Sequence, residues 1–429
     1  MTDSSRSQLW AVTRPAFISA LLLFVFTIVI GILNGLDIYD PDHDTLLTHV
    51  HAGTLGWISL AAAATGLLMF TQGRNLTESE QARGKLLARL MTAGIILYVV
   101  AFLIGDRMPG DRIQRPIAGT LLFLVVIWYV VWLFSANRSY NRSSVARLGM
   151  MLAWISMLVG AVLGVLLGIF TSQNEIPGLS DDTAARLAEA HPPAMVIGFL
   201  FLAAFSVIEW LLHEEKSWAE SKAGATMMWF AFIGGVTVNI AFIFDVEDLL
   251  GPANLLAIAG VGILIWRARS LLMPSGWKGA GTGAYPRTGI LFLIAYLVLL
   301  TVIVQRFVSG AMDVSALEDW EFGLILTFDH VMFIGVMTFL LFGVISNQVG
   351  GGSELNTVDW VLLGGVSVGI AGFAVGLLTV TAEIKQVFTP MMGIALLIGI
   401  GYYVMQLAGS RGQSAGAVDT AAEETAPNA

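Results

Sequence analysis

The sequence contains no cysteine. That absence removes disulfides, thiolate metal sites and covalent c-type haem attachment. Charge is scarce too: 12% of residues are Asp, Glu, Lys or Arg, against about 25% in an ordinary soluble domain. There is no basic patch of the kind that holds nucleic acid. Histidine is rarer still, at six in 429 residues. Apolar residues fill the space instead, at 56% of the chain with a mean hydropathy of +0.78.

Such a composition belongs in a lipid bilayer. A hydrocarbon core of ~30 Å is crossed by about 20 apolar residues in a helix. Twelve runs of that kind are present: 17–36, 50–72, 87–105, 116–136, 149–171, 193–212, 223–244, 249–268, 289–307, 325–347, 358–380 and 388–408. The first follows Arg6 and Arg14 as a signal peptide would. It lacks a small-residue cleavage site and leads straight into more spans, so it reads as a retained helix. Lys and Arg gather in alternate loops, such as Arg74, Arg83 and Lys85, then Arg138, Arg142 and Arg147. The intervening loops are acidic, as in "DIYDPDHD" (37–44) and "DVED" (245–248), with "DRMPGDRIQRP" (106–116) the one mixed exception. The positive-inside rule then puts both termini in the cytoplasm, in a multi-pass protein of the inner cell membrane. Residues 1–408 form the membrane domain, and 409–429, poor in bulky apolar residues, form a disordered tail.

Four of the histidines sit at the acidic ends of three runs. His49 and His51 open the second, His191 the sixth, and His330 lies near the start of the tenth. In "HAGTLGW" His51 precedes Gly56 by five residues, and in "HVMFIGV" His330 precedes Gly335 by five. In "HPPAMVIGF" Gly198 follows His191 by seven, which aligns His191 with His49. The spacing predicts an all-α fold of three tandem four-helix units. His43 and His213 lie in polar loops and read as solvated.

A polar side chain within a membrane domain is a functional hypothesis by default, and neutral imidazole is the usual protein ligand of haem iron and of many metals. The bland reading of each histidine is a bond to a backbone carbonyl or to interfacial water. The functional reading has His51 and His330 holding one flat haem between them. Gly56 and Gly335 would leave room for the macrocycle, and Trp57 and Phe333 would form its walls. His191 and His49 are the candidates for a second site, a non-haem metal or a second haem, with Glu189 as an added carboxylate.

Twelve spans with histidines on the second, sixth and tenth resemble the haem–copper oxidase subunit I superfamily, nitric oxide reductases included. The resemblance covers nearly the whole chain through a few short motifs. It implies that His51, in "THVHAGTLGW", and His330, in "TFDHVMFIGV", are the axial ligands of a low-spin haem. It also implies that Lys385, in "TAEIKQV", meets the haem propionates, and that another redox subunit or cytochrome is a partner. The chain departs from the family where dioxygen chemistry is done. Phe328 stands where a high-spin haem ligand is expected, and Met195 where a tyrosine follows the sixth-helix histidine. The seventh run has no histidine and the eighth no lysine, and the sixth has no acid before Glu209 at its far end. The resemblance therefore implies a haem b cytochrome for electron transfer or redox chemistry, without a copper site or a pumping path. Two alternatives stay open. One is a gas-binding or nitric oxide/oxygen reductase-like enzyme with a rebuilt second metal site. The other is a haem-free secondary transporter, for which twelve helices with cytoplasmic termini are also typical.

Overall fold

The computed structural model describes residues 7–105, 112–140, 143–173, 176, 178–213, 219–312, 316–350 and 354–409. The tail beyond 409 and most of the loop 106–116 lie outside the described residues. Those residues are helical with no strand, and twelve helices are long and apolar enough to cross a membrane. In chain order, spans one to twelve are Trp10–Gly35, His43–Met69, Glu78–Ile104, Gln114–Arg138, Val145–Ser172, Asp181–Leu212, Lys222–Phe244, Glu247–Leu272, Gly281–Val308, Asp319–Gln348, Thr357–Leu378 and Ala382–Gly409. The protein is an all-α, multi-pass membrane protein.

Spans two, six and ten are the inner helices. Their apolar stretches are 89%, 72% and 67% buried, while the other nine lie between 28% and 44%. Side chains explain the sorting. Span two is rich in small residues, and Ala61 to Ala64 are all buried, so neighbouring backbones approach closely. The outer spans present Leu22, Val131, Leu255 and Val298 outward, each more than half exposed. In lipid that surface is solvated by acyl chains rather than being a liability.

The inner helices begin earlier than their apolar runs because a polar turn caps each one. The Thr45 N–H donates to Asp42 Oδ1 at 2.7 Å, the Thr183 N–H to Ser180 Oγ at 3.3 Å, and the Glu318 N–H to Glu321 Oε2 at 3.1 Å. Side-chain oxygens there satisfy amides that the first turn leaves unpaired. Each inner helix also widens into a π-helical segment: Ala52–Ser59 in span two, Ala194–Leu200 in span six and Val331–Thr338 in span ten. Span eleven has a shorter one, Leu362–Val366.

Candidate functional site: a histidine-lined cavity around span two

Because of the capping turns, the histidines are not at the helix entrances. At 1.5 Å per residue His51, His191 and His330 lie about 12, 15 and 16 Å along their helices. The π segments follow directly: one residue after His51 and His330, and three after His191. Segments of this kind recur at functional sites because they re-aim the side chains around them.

All four histidines line one cavity of about 980 Å³, at the upper end of the roughly 300–1,000 Å³ usual for cofactor sites. Its lining falls into two groups on either side of span two. The first lobe is bounded by spans one, ten, eleven and twelve, through residues such as Gly31, Phe373 and Met392. The second is bounded by spans three to six, through residues such as Phe102, Leu122 and Val165. His49 and His51 are two residues apart, which turns them by about 200° around a helix of 3.6 residues per turn. They therefore face opposite lobes. His49 rests on span one, where a Cβ at Gly31 would lie 3.4 Å from its Cε1, and it is within electrostatic reach of His330. His330 packs beside Phe373 of span eleven, with ring centroids 4.9 Å apart. His51 stacks on Phe102 of span three at 4.0 Å and lies within electrostatic reach of His191 and Arg115.

The structure thus groups His49 with His330 and His51 with His191. It does not bring His51 and His330 together as the sequence led us to expect, and the reason is the half-turn between positions 49 and 51. A second site built from His191 and His49 meets the same obstacle, since they occupy different lobes. Glu189 is exposed, and among the described residues no three histidine or carboxylate side chains converge to hold an ion.

Three of the rings have a fixed tautomer. The Nδ1–H of His51 donates to Leu47 O at 2.7 Å, that of His330 to Leu326 O at 2.7 Å, and that of His191 to Gly160 O at 2.9 Å. A carbonyl only accepts, so the proton is on Nδ1 and the lone pair on Nε2. A carbonyl or carboxylate partner of this kind orients a metal-bound imidazole and raises its basicity. His49 differs, its Nδ1 being buried and unpartnered. The bland reading of these histidines is therefore half right: the carbonyl bonds exist, and they leave the other nitrogen of each ring available.

Glycine supplies space, though not at the expected positions. A Cβ at Gly56 would lie 3.0 Å from Leu23, and one at Gly335 2.7 Å from Phe292. Neither glycine lines the cavity, and both instead let neighbouring helices approach. Gly31, Gly53, Gly164 and Gly323 line it instead. Trp57 and Phe333 do line the cavity. Trp57 is fully buried, stacks on Phe24 at 5.2 Å and donates from Nε1 to Thr338 Oγ1 at 3.0 Å, tying span two to span ten.

A cation stands at the mouth of each lobe. Lys385 Nζ donates to Asp37 Oδ1 at 2.7 Å, and Gln386 Nε2 to Asp37 Oδ2 at 2.9 Å. Asp37 lies between spans one and two, and those two hydrogen bonds hold its carboxyl below the usual carboxylate range. On the other side Arg115, 3% exposed, pairs with Asp44, and Arg112 lies 3.7 Å from the same carboxylate. Arg115 also sits over the Phe102 ring at 4.7 Å and keeps its Nε unpartnered. Sequence reasoning passed over Arg115, whose signal was the mixed charge of "DRMPGDRIQRP". It also passed over Asp329, which lines the cavity beside His330. His43 is exposed as expected, whereas His213 is half-buried, 3.6 Å from Glu209.

The chain matches no protein-family model and no curated protein.

Proposed function

We propose that this protein is a haem b-binding membrane cytochrome serving electron transfer or redox chemistry, as the resemblance to haem–copper oxidase subunit I implies. One observation carries the reading: imidazoles from spans two and ten open on the same apolar cavity, and His330 has its Nδ1 proton fixed so that Nε2 is free to ligate. The residues fit a porphyrin. Gly31 lies against the His49 ring, where a Cβ would stand 3.4 Å from its Cε1. The walls are apolar and aromatic, including Phe24, Trp57 and Phe333, and a cation stands at the mouth.

In this reading His330 and, by the grouping of the rings, His49 hold the iron from spans ten and two. Bound haem supplies one-electron iron redox chemistry. The carbonyl of Leu326 orients the His330 ring and keeps its tautomer. Phe24, Trp57 and Phe373 exclude water, which favours electron transfer over side reactions. Lys385 offers its ammonium to a propionate in exchange with Asp37. The π segments at matching places in spans two, six and ten support the three-unit arrangement. So do Ser59 and Thr338, each eight residues after a histidine and each donating to the carbonyl five residues back, Thr54 O at 2.9 Å and Phe333 O at 2.8 Å.

The test is a pyridine haemochrome assay on the purified protein. We expect a b-type spectrum with low-spin features, which His330→Ala abolishes for the first lobe. A colourless, iron-free protein that remains folded in detergent overturns the proposal.

A further inference from the structure

We infer that the second lobe is a second porphyrin site, which His51 and His191 would hold through their free ring nitrogens and where Arg115 would receive a propionate. The inference rests on the haem reading of the first lobe, and it goes beyond it because the second lobe shares none of that lobe's ligands.

Four observations carry it. First, the two rings come from different helices, line the same part of the cavity and lie within electrostatic reach of each other. Second, both have Nδ1 committed to a backbone carbonyl, at 2.7 Å for His51 and 2.9 Å for His191. Each therefore presents the lone pair of Nε2, and among the described residues neither Nε2 makes a hydrogen bond. Third, the wall around them is apolar, including Leu122, Val126 and Val165, while Gly164 allows the His191 ring to lie against span five. Fourth, a buried guanidinium with an open donor stands at the mouth. Arg115 is buried against Asp44 and keeps its Nε unpartnered. A guanidinium with open donors recognises a carboxylate well.

The ligand class follows from the donor count. Only two imidazoles are grouped on this lobe, and among the described residues no cluster of three histidine or carboxylate side chains forms. A bare transition-metal ion needs more donors than two. A porphyrin brings four nitrogens of its own and asks the protein for only the two axial ones. It also brings carboxylates, one of which Arg115 would take.

The experiment is haem quantitation against protein, with iron measured in parallel, on the wild-type full-length chain and on His191→Ala, His51→Ala and His330→Ala. We expect two haems per chain in the wild type and one in each variant. A redox titration followed in the visible should resolve two one-electron waves, with His191→Ala and His330→Ala each removing a different one. His330→Ala also serves as the folding control, because a chain retaining one haem after that change has an intact second lobe. Arg115→Gln should shift the potential of the wave that His191→Ala removes and leave the other in place. One haem per chain that His191→Ala leaves unchanged overturns the inference while the proposed function stands. Iron in excess of haem that disappears with His191→Ala also overturns it, in favour of a non-haem ion. No haem at all overturns both.

Discussion

At the scale of single residues the site depends on which ring nitrogen carries the proton, and for His51, His191 and His330 that is decided by backbone carbonyls no point mutation removes. The side chains that steer the rings can be changed. A Cβ at Gly164 would lie 2.8 Å from Cε1 of His191, well inside the 3.5–4.0 Å at which carbon atoms pack best. Gly164→Ala should therefore turn the ring and break its bond to Gly160 O, at a cost of about 1–3 kcal/mol. Thermal unfolding in detergent measures the cost, and loss of the signal that His191→Ala removes reports the ring. Gly168→Ala is the control, because its nearest contacts are with Pro116 at 3.5 Å; we expect it to leave both readouts as they are. Asp37 gives a prediction about pH. Its carboxyl is held low by Lys385 and Gln386, so the stabilisation is present above the unfolded value, about 3.9, and is lost as pH falls through the folded one. The melting difference between the wild type and Asp37→Asn should hold from neutral pH to about pH 5 and shrink below about pH 4.

At the scale of elements, the inner helices are joined by few polar contacts, and Trp57 to Thr338 is one of them. Thr338 Oγ1 still donates to Phe333 O when the indole is gone, so Trp57→Phe leaves no unsatisfied hydroxyl proton. We expect a loss of about 1 kcal/mol, measured by thermal unfolding. The elements also show where sequence reading stops. The twelve spans were legible because length and apolarity alone define them. Their starts were not, since Asp42, Ser180 and Glu318 cap helices from outside the apolar runs. The four histidines were legible as rare polar residues in an apolar setting. Their pairing was misread because matching trailing glycines suggested a common face, whereas Gly56 and Gly335 answer to Leu23 and Phe292 on other helices. Gly31 and Gly164 went unnoticed for the same reason: what they touch is distant in sequence. The turn of about 200° between His49 and His51 was available all along from helix geometry.

At the scale of the whole molecule, one end carries the four cavity histidines, and the other carries most of the Lys and Arg. Glu209, on span six near the basic end, is held there by Arg267 through bonds of 2.8 and 2.7 Å. With an even number of spans both termini share that basic end. Tags fused to either terminus should stay protected from protease in right-side-out vesicles, while a tag placed at Gly310 is cut. The reverse pattern contradicts the orientation. Span two has a particular place in this architecture, as the partition between the lobes with a histidine on each face. One residue inserted before Ala52 would swing the preceding turns by about 100°, carrying both imidazoles off target in a single step. Neither chamber can be retuned through that backbone without disturbing its neighbour, so whatever the two chambers hold, they share one axle.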